Sequence, residues 1–321
     1  MSTEAITPTD TPLGTQTGTE SARRTPHVVR TRSELRDAQM RWAITGPSGL
    51  DAEPGRRAVV MTMGALHDGH LELVRRARAE AGPNGQVIVT IFVNPLQFGA
   101  GEDLATYPRD LDGDVAKLAG VGADIVFAPT PDVVYPDGDP VVRVSAGRIG
   151  EVLEGEHRPG HLDGVLTVVL KLMHLVRPDV ALFGEKDAQQ LLAVRRMVRD
   201  LEVSVEVVGV PTVREGDGLA MSSRNAYLSA DEREQALALS RALRAGAAAA
   251  GRGATGVINA ARQVLDEADG VVIDYLALVD PVTVDAVTDD FSGHALLLVA
   301  ARVGTTRLID NQAVEVSPDQ R

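Results

Sequence analysis

The chain has 321 residues, a formal net charge of −13 and no cysteine. This length allows two domains with a large core, and the lack of cysteine excludes disulfides and thiolate zinc sites, which fits a reducing cytoplasm. The acidic balance argues against nucleic-acid binding, and no apolar run is long enough to cross a membrane, so we expect neither a nucleic-acid nor a membrane partner.

The N-terminal stretch, residues 1–26, is rich in Thr, Pro and Gly and lacks the apolar segment of a signal peptide. Such a composition buries too little surface to offset ordering entropy, so we predict a disordered tail. The sequence "TRSE" at residues 31–34 then has the form of a capping box and predicts a helix that extends to about residue 44.

Between residues 58 and 210, short apolar runs alternate with amphipathic segments. Strands are predicted at residues 58–62, 86–92, 124–128, 179–183 and 203–210, and helices at residues 70–81, 112–119, 164–177 and 187–199. This alternation is typical of βαβ units, so we predict an α/β fold with a doubly wound, Rossmann-like parallel sheet over residues 27–212.

The pattern changes after residue 212, where helices come first and strands follow. Helices are predicted at residues 231–250 and 257–268, and strands at residues 271–279, 295–303 and 306–310. We therefore predict a second, smaller α+β domain over residues 213–312, followed by a C-terminal tail at residues 313–321.

The sequence "HDGH" follows the first strand of the parallel sheet and has three possible interpretations. A metal pair lacks a third ligand, because Asp68 would point away from both imidazoles on a helical turn. A second possibility is that the two histidines have no function and that their spacing is accidental. The third is a phosphate site, since the segment leaves a strand at the carboxyl edge of the sheet and a helix begins at or just after Gly69 and His70. There His67 and His70 could donate to a triphosphate, and Gly69 would let phosphates approach the backbone.

Three further clusters bear on nucleotide binding. The glycines of "GRGATG", residues 251–256, follow a helix rather than a strand, so we interpret them as a helix end and turn instead of a dinucleotide fingerprint. By contrast, "GEKDAQQ" follows a strand and supplies the cation Lys186, and "LAMSSRN" supplies two hydroxyls and Arg224. Taken with "HDGH", these two clusters favour a phosphate site.

The segments "TMGALHDGH", "VTIFVNPLQFG", "YPRDL", "GEKDAQQ" and "VPTVREGDGLAMSSRNAYL" resemble the pantothenate synthetase (pantoate–β-alanine ligase) family, within the H-x-G-H nucleotidyltransferase superfamily. The resemblance covers residues 28–312 in order. It implies ATP-dependent condensation of pantoate with β-alanine through pantoyl adenylate, giving pantothenate, AMP and pyrophosphate. The smaller domain would act as a lid over the phosphates. The alternative is a nucleotidylyltransferase acting on a phosphorylated acceptor, which shares H-x-G-H but does not need two glutamines for the acceptor.

The resemblance also implies roles for individual residues. His70 would be the catalytic acid, helped by His67 and Lys186. Gln97 would bind pantoate and β-alanine, and Gln190 would bind pantoate. The ATP site would comprise Met63, Gly64, Ala65, Leu66, His67, Asp68, Gly69, His70, Gly184, Glu185, Lys186, Asp187, Val213, Met221, Ser222, Ser223 and Arg224.

Mg²⁺ is expected to accompany ATP, and a homodimer is implied by the resemblance alone. In the region where some family members contact Mg²⁺, this chain has Gly113, Asp114 and Lys117, so we assign no protein ligand to the metal. Met61, Leu162 and Ala188 depart from residues common in the family. We expect these three departures to alter packing around the cleft rather than the type of reaction.

Overall fold

The computed structural model describes residues 25–45, 55–99, 102 and 104–318, so residues 1–24 of the predicted tail and residues 319–321 lie outside it. Its main feature is a six-stranded sheet in the order β1-β4-β3-β2-β5-β6, in which all paired neighbours are parallel. The strands are β1 (His27–Val29), β2 (Arg57–Thr62), β3 (Gln86–Ile91), β4 (Ile125–Phe127), β5 (Val180–Gly184) and β6 (Glu206–Val210). The predicted α/β class is confirmed, although the three-residue strand β1 was not predicted.

The described helices are α1 (Arg32–Thr45), α2 (Asp68–Ala81), α3 (Leu111–Ala119), α4 (Pro131–Val134), α5 (Glu154–His157), α6 (His161–Val176), α7 (Ala188–Asp200), α8 (Ala230–Ala248) and α9 (Gly253–Asp266). The predicted capping box starts α1: the Thr31 hydroxyl accepts from the Glu34 N–H, and the Glu34 carboxylate accepts from the Thr31 N–H. None of these helices is both long and apolar enough to cross a membrane.

The inner strands of the parallel sheet, β2 to β5, are buried on both faces: their side chains alternate between the faces, and most of them are buried. On β2, Val59 packs with residues of α1, α6 and α7 on one face, whereas Ala58 and Val60 pack with α2 and α3 on the other. This double burial explains why the strands read as continuous apolar runs in the sequence.

The order of strands reverses at the centre of the sheet. From β2 the chain proceeds outward through β3 and β4 on one side, and it later returns to β5, which pairs with the other side of β2 and leads to β6. Open α/β sheets bind ligands outside the carboxyl ends of the strands at such a reversal. The loops that follow β2 and β5 therefore border the expected binding crevice.

The smaller sheet is antiparallel, in the order β7 (Val271–Val279), β8 (Gly293–Val303) and β9 (Thr306–Val316), and it shares a hydrophobic core with α8 and α9. Two details of the sequence prediction are wrong here. Strand β9 continues to Val316, so residues 313–316 belong to the sheet and not to a tail. Helix α9 begins at Gly253, so the second half of "GRGATG" forms its first turn rather than an inter-helix turn.

Candidate active site

Most of the residues that the sequence singled out come together at the reversal point, around one cavity of about 240 Å³. They come from the loops after β2, β3, β5 and β6 and from the starts of α2 and α7. Those lining it are Met63, His67, Gly69, His70, Gln97, Gly184, Lys186, Asp187, Gln190, Val213, Met221, Ser222, Ser223 and Arg224. Gly64, Ala65, Leu66, Asp68 and Glu185 do not line the cavity, although each adjoins a residue that lines it or belongs to the same loop.

The two histidines stack at the first turn of α2, which begins at Asp68. Their ring centroids are 4.1 Å apart, and the backbone N–H of His67 donates to Nδ1 of His70 over 3.3 Å. Because Nδ1 of His70 accepts this bond, the proton of the neutral ring sits on Nε2. His70 therefore offers the cavity a ring N–H donor with a fixed tautomer.

Both imidazoles are neutral at pH 7. Burial lowers the pKa of His70 to about 3, with the neighbouring His67 contributing, and burial lowers the pKa of His67 to about 4, with the Lys186 charge contributing. The pair therefore acts by directed hydrogen bonding rather than by positive charge. The cationic charge for an anionic ligand must come from the lysine and arginine side chains of the lining, among them Lys186 and Arg224.

We expect the free protein to lose stability as the pH falls below about 6.5, the ordinary pKa of histidine. Below that pH the histidines of the unfolded chain bind protons. In the folded protein, buried His67 and His70 stay neutral until the pH approaches their lowered pKa values of about 4 and about 3. For His70 alone, the free energy of unfolding should fall by about 1 kcal/mol between pH 7 and 5.5. Urea unfolding at both pH values measures the loss, which should shrink in His70→Gln. Exposed His174 supplies the control, because His174→Gln should keep the wild-type loss.

The first turn of α2 differs from the predicted open anion site. The backbone N–H groups of His67, Gly69 and His70 already have partners. In addition to the His67 N–H, which donates to the His70 ring, the N–H of Gly69 donates to Sδ of Met221 over 3.2 Å, and the N–H of His70 donates to the His67 carbonyl over 2.8 Å. Sulfur is a weak acceptor, so a phosphate oxygen would readily replace Met221 at Gly69. A Cβ at Gly69 would lie 3.0 Å from the His67 ring, so a larger residue there would press on that ring.

The loop between β2 and α2 is held by a buried carboxylate from α3. Asp114, 1% exposed, accepts the N–H groups of Ala65 (2.9 Å) and Leu66 (2.7 Å), and Lys117 donates to the Leu66 carbonyl over 2.7 Å. Gly64 and Ala65 both adopt positive φ, +87° and +51°, a conformation that costs energy at a non-glycine residue. These contacts fix the loop in the shape that presents His67 and His70.

The same contacts argue against a protein metal site. Both oxygens of Asp114 are engaged by backbone N–H groups, and the Lys117 ammonium lies 4.0 Å from one of them. Among the described residues, no group of three or more His, Asp or Glu side chains is placed to hold a metal ion. A divalent cation that enters with a nucleotide would thus keep its phosphate and water ligands.

We expect Asp114→Asn to raise KM for ATP about tenfold, because an amide cannot accept both N–H bonds and one buried donor loses its partner. Steady-state kinetics with varied ATP at saturating Mg²⁺ measures the effect. The control is Asp112→Asn, an exposed position on the same helix. An unchanged KM for ATP, or a defect that excess Mg²⁺ repairs, would contradict the loop-holding role.

The Lys186 turn, Glu185–Asp187, is fixed from the smaller sheet. The Asn311 side chain on β9 donates to the carbonyls of both Glu185 and Lys186 at 2.9 Å. The next residue toward the N-terminus, Asp310, forms a two-pronged ion pair with Arg214. Because these contacts join β9 to the loops after β5 and β6, the smaller unit directly sets the position of the Lys186 backbone.

The Met221–Arg224 segment also borders the cavity. Met221 is placed by a backbone bond from its N–H to the Val213 carbonyl over 2.9 Å. The Ser222 hydroxyl accepts from the Arg224 N–H over 3.3 Å and starts a short helical turn, Ser223–Tyr227. Two hydroxyls and a guanidinium thus face the same cavity as Lys186.

Gln97 and Gln190 line the cavity beside the histidines. The Gln97 oxygen accepts from Asn94 over 3.1 Å, and its Nε2 lies 3.1 Å from Sδ of Met63. A weak sulfur acceptor leaves the Gln97 amide available to a stronger one, such as a ligand carboxylate or hydroxyl. Gln190 extends from α7, so the two amides reach the cavity from different elements.

Close packing against α6 fixes the position of Gln97. A Cβ on Gly164 would lie 2.2 Å from the Leu96 carbonyl oxygen and 2.8 Å from the Gln97 nitrogen. The Gly164 carbonyl also accepts from the Asn94 side chain over 3.2 Å. The helix thus approaches the Pro95–Gln97 turn so closely that only glycine fits at this position.

Among the polar residues of the cavity to which sequence reasoning gave no role are Asn94, Tyr107, Arg158 and His161. Asn94 lies in "VTIFVNPLQFG", where an asparagine before proline is also typical of a turn. Arg158 and His161 lie in "HRPGH", where a cation and an imidazole directly before a long apolar helix were a usable signal. Tyr107 lies in "YPRDL" and had no distinguishing feature beyond its motif.

Comparison with known proteins identifies relatives along nearly the whole described chain. The family described as pantoate-beta-alanine ligase matches residues 27–313. A pantothenate synthetase of Streptomyces avermitilis is 56% identical over 306 residues, 80% of this chain and 92% of that protein. Pantothenate synthetase 4 of Frankia alni is 57% identical over 306 residues, 91% of this chain and 98% of that protein.

Solved structures give the same picture. Pantothenate synthetase from Thermus thermophilus matches with a TM-score of 0.80 and 46% identity, covering 91% of this chain and all of that one (100%). A pantoate-beta-alanine ligase from Francisella tularensis, solved with beta-gamma ATP and beta-alanine, matches with a TM-score of 0.70 and 30% identity over 89% of this chain and 97% of that one.

Proposed function

Because the chain belongs to the pantoate–β-alanine ligase family, we propose that its cavity carries out both steps of that ligation, activation of pantoate by ATP and transfer to β-alanine. The enzyme joins pantoate to β-alanine with ATP as co-substrate. The observation that carries the residue assignment is the meeting of His70, Lys186, Gln97 and Gln190 around one cavity at the strand reversal.

In the first step, a pantoate carboxylate oxygen attacks the α-phosphorus of ATP. The new P–O bond forms as the bond to the β-phosphate oxygen breaks, which gives pantoyl adenylate and pyrophosphate. Nε2–H of His70 donates to an α-phosphate oxygen, and Lys186 and Arg224 stabilise the charge that grows on the leaving pyrophosphate. The amides of Gln97 and Gln190 hold the acid in line for attack.

In the second step, the amine of β-alanine attacks the carbonyl carbon of pantoyl adenylate. The C–N bond forms, the bond to the phosphate oxygen breaks, AMP departs and the amine loses a proton. An acyl adenylate is already activated, so the protein contributes mainly positioning and exclusion of water. This step depends on the walls around Gln97 more than on the phosphate cations.

We propose that Mg²⁺ enters as part of the ATP substrate. The engaged oxygens of Asp114 and the absence of a metal-binding group among the described residues support this assignment. Lys186 and Arg224 would then share the charge of the phosphates with the metal ion.

AMP formation tests the proposed function. Purified enzyme should release one pyrophosphate per enzyme from ATP and pantoate alone, and should release AMP continuously only when β-alanine is added. Pyrophosphate release with a phosphorylated acceptor in place of pantoate, with the AMP group retained in the product, would favour the nucleotidylyltransferase alternative.

We also propose a cytoplasmic homodimer. The cytoplasm supplies ATP, and the absence of cysteine fits its reducing conditions. Support for the dimer comes from Val141 and Val142, adjacent valines that are 100% and 86% exposed in the single chain. Exposed apolar side chains that lie together commonly mark a protein interface.

We expect Val142→Asp to shift the protein from dimer to monomer, because the carboxylate would be buried without a partner in the proposed interface. Sedimentation velocity at micromolar concentration measures the shift. The control is Val282→Asp, an exposed valine in the smaller unit. A monomeric wild type, or a dimer in which Val142→Asp has no effect, would contradict this interface.

A further inference from the structure

Arg158 follows α5 and has no part in the mechanism above. Its side chain is 17% exposed and lines both the reaction cavity and an adjoining cavity of about 530 Å³. We propose that Arg158 is the receptor for the carboxylate of β-alanine and thus selects the amine substrate. This inference rests on the proposed two-step function.

The chemistry of β-alanine requires such a group. Its amine must reach the acyl carbon, while its carboxylate lies at the other end of the molecule and is costly to desolvate without a cation. Among the described residues, the lysine and arginine side chains lining the reaction cavity are Arg158, Lys186 and Arg224. Lys186 lies beside the histidines and Arg224 beside the serines, which places both on the phosphate side. Arg158 is the cation that remains for the second acid.

A short chain of hydrogen bonds connects Arg158 to Gln97. Nη1 of Arg158 lies 3.0 Å from Nε2 of His161, and Nδ1 of His161 lies 2.8 Å from the Gln97 carbonyl oxygen. A guanidinium has only donors, so Nε2 of His161 accepts and its Nδ1–H donates to Gln97. Burial lowers the pKa of His161, which agrees with this neutral tautomer. These hydrogen bonds set the distance between the Arg158 guanidinium and Gln97, the residue that holds the activated acid.

Arg158 has room for another carboxylate. Of its five N–H groups, Nε and one on Nη2 donate to Glu102 at 2.9 and 2.6 Å, and one on Nη1 pairs with His161. Glu154 lies 3.9 Å from Nη1, within ion-pair range but beyond a hydrogen bond. The remaining N–H groups on Nη1 and Nη2 can bind the two oxygens of a ligand carboxylate, the paired geometry that arginine favours.

Glu102 sets the strength of this receptor. It neutralises the same guanidinium that β-alanine must bind, so the two carboxylates repel one another. Removing the Glu102 charge while keeping its shape should therefore tighten β-alanine binding. The effect should vanish for an amine that carries no carboxylate.

The test separates the two half-reactions and uses two amines. Pre-made pantoyl adenylate is mixed with the enzyme and either β-alanine or β-alaninamide, which has the same amine and chain but no carboxylate charge. We expect Arg158→Ala to lower kcat/KM about 10- to 100-fold for β-alanine. Aminolysis by the amide and adenylate formation from ATP and pantoate should stay within about twofold.

Glu102→Gln provides a second variant with Arg158 intact, and it should lower KM for β-alanine without changing KM for the amide. Arg241→Ala, on the exposed face of α8, is the control and should behave as wild type. If Arg158→Ala keeps the preference for β-alanine over its amide, or slows both amines equally, the receptor role is overturned. If Arg158→Ala does not fold, an unchanged KM for β-alanine in Glu102→Gln overturns it. A wild type that forms no adenylate would instead refute the proposed function.

Discussion

Replacing His70 with alanine should slow adenylate formation by about 10²- to 10³-fold while the protein stays folded. The ring is neutral, since burial lowers its pKa to about 3, so the loss is that of one directed donor rather than of a positive charge. The donor is preorganised, because the His67 N–H fixes the tautomer through Nδ1. In a buried cavity such a donor stabilises the developing charge on phosphate more than it would in water. Rapid-quench measurement of AMP-ester formation from ATP and pantoate gives the rate.

The exposed imidazole of His174 on α6 supplies the control, because His174→Ala should leave the rate unchanged. His70→Asn tests the geometry, since an asparagine amide can donate but is shorter than the ring. We expect Asn to restore part of the rate lost in His70→Ala. A folded His70→Ala variant with a near-normal rate would remove His70 from the reaction.

The second large effect is expected at Lys186. Lys186→Ala should slow adenylate formation about 100-fold, because the leaving pyrophosphate loses one charge-assisted contact. Arg224→Ala should act in the same direction, because Arg224 lines the same cavity. Neither substitution should slow aminolysis of pre-made pantoyl adenylate by more than about twofold, since pyrophosphate has left before that step.

Single-turnover rates of each half-reaction, measured separately, decide between two roles for Lys186. Lys171→Ala is the matched control, because Lys171 lies on α6 against the Tyr135 ring and outside the cavity. Equal loss in both half-reactions would show that Lys186 shapes the cavity instead of binding phosphate. No loss in either would refute the phosphate role.

The sequence predicted elements best where one physical signal was repeated. Strands β2, β3 and β5 are buried on both faces, so each is a continuous apolar run in the sequence. The Thr31–Glu34 capping box marked the start of α1. Strand β1 was not predicted, because three residues are too few to show a hydrophobic period. The start of α9 was misplaced because glycines signal a turn more strongly than a helix.

At the candidate site, the sequence could indicate which segments meet but not what holds them. The Asp114 bonds to Ala65 and Leu66 join residues that are 49 and 48 positions apart, and the Asn311 bonds to the Lys186 turn cross more than a hundred. Such pairs leave no local pattern. The neutral state of His70 was likewise hidden, since it depends on burial that only the assembled cavity produces.

The contact at Gly164 has a consequence for redesign of the enzyme toward other acids. Since the Leu96 carbonyl would lie 2.2 Å from a Cβ added at Gly164, the wall carrying Gln97 cannot be reshaped by substitution at this position of α6. Gln190 lies on a different helix, α7, and lines the same cavity. A library intended to admit bulkier hydroxy acids would therefore retain Gly164 and diversify the α7 side of the pocket.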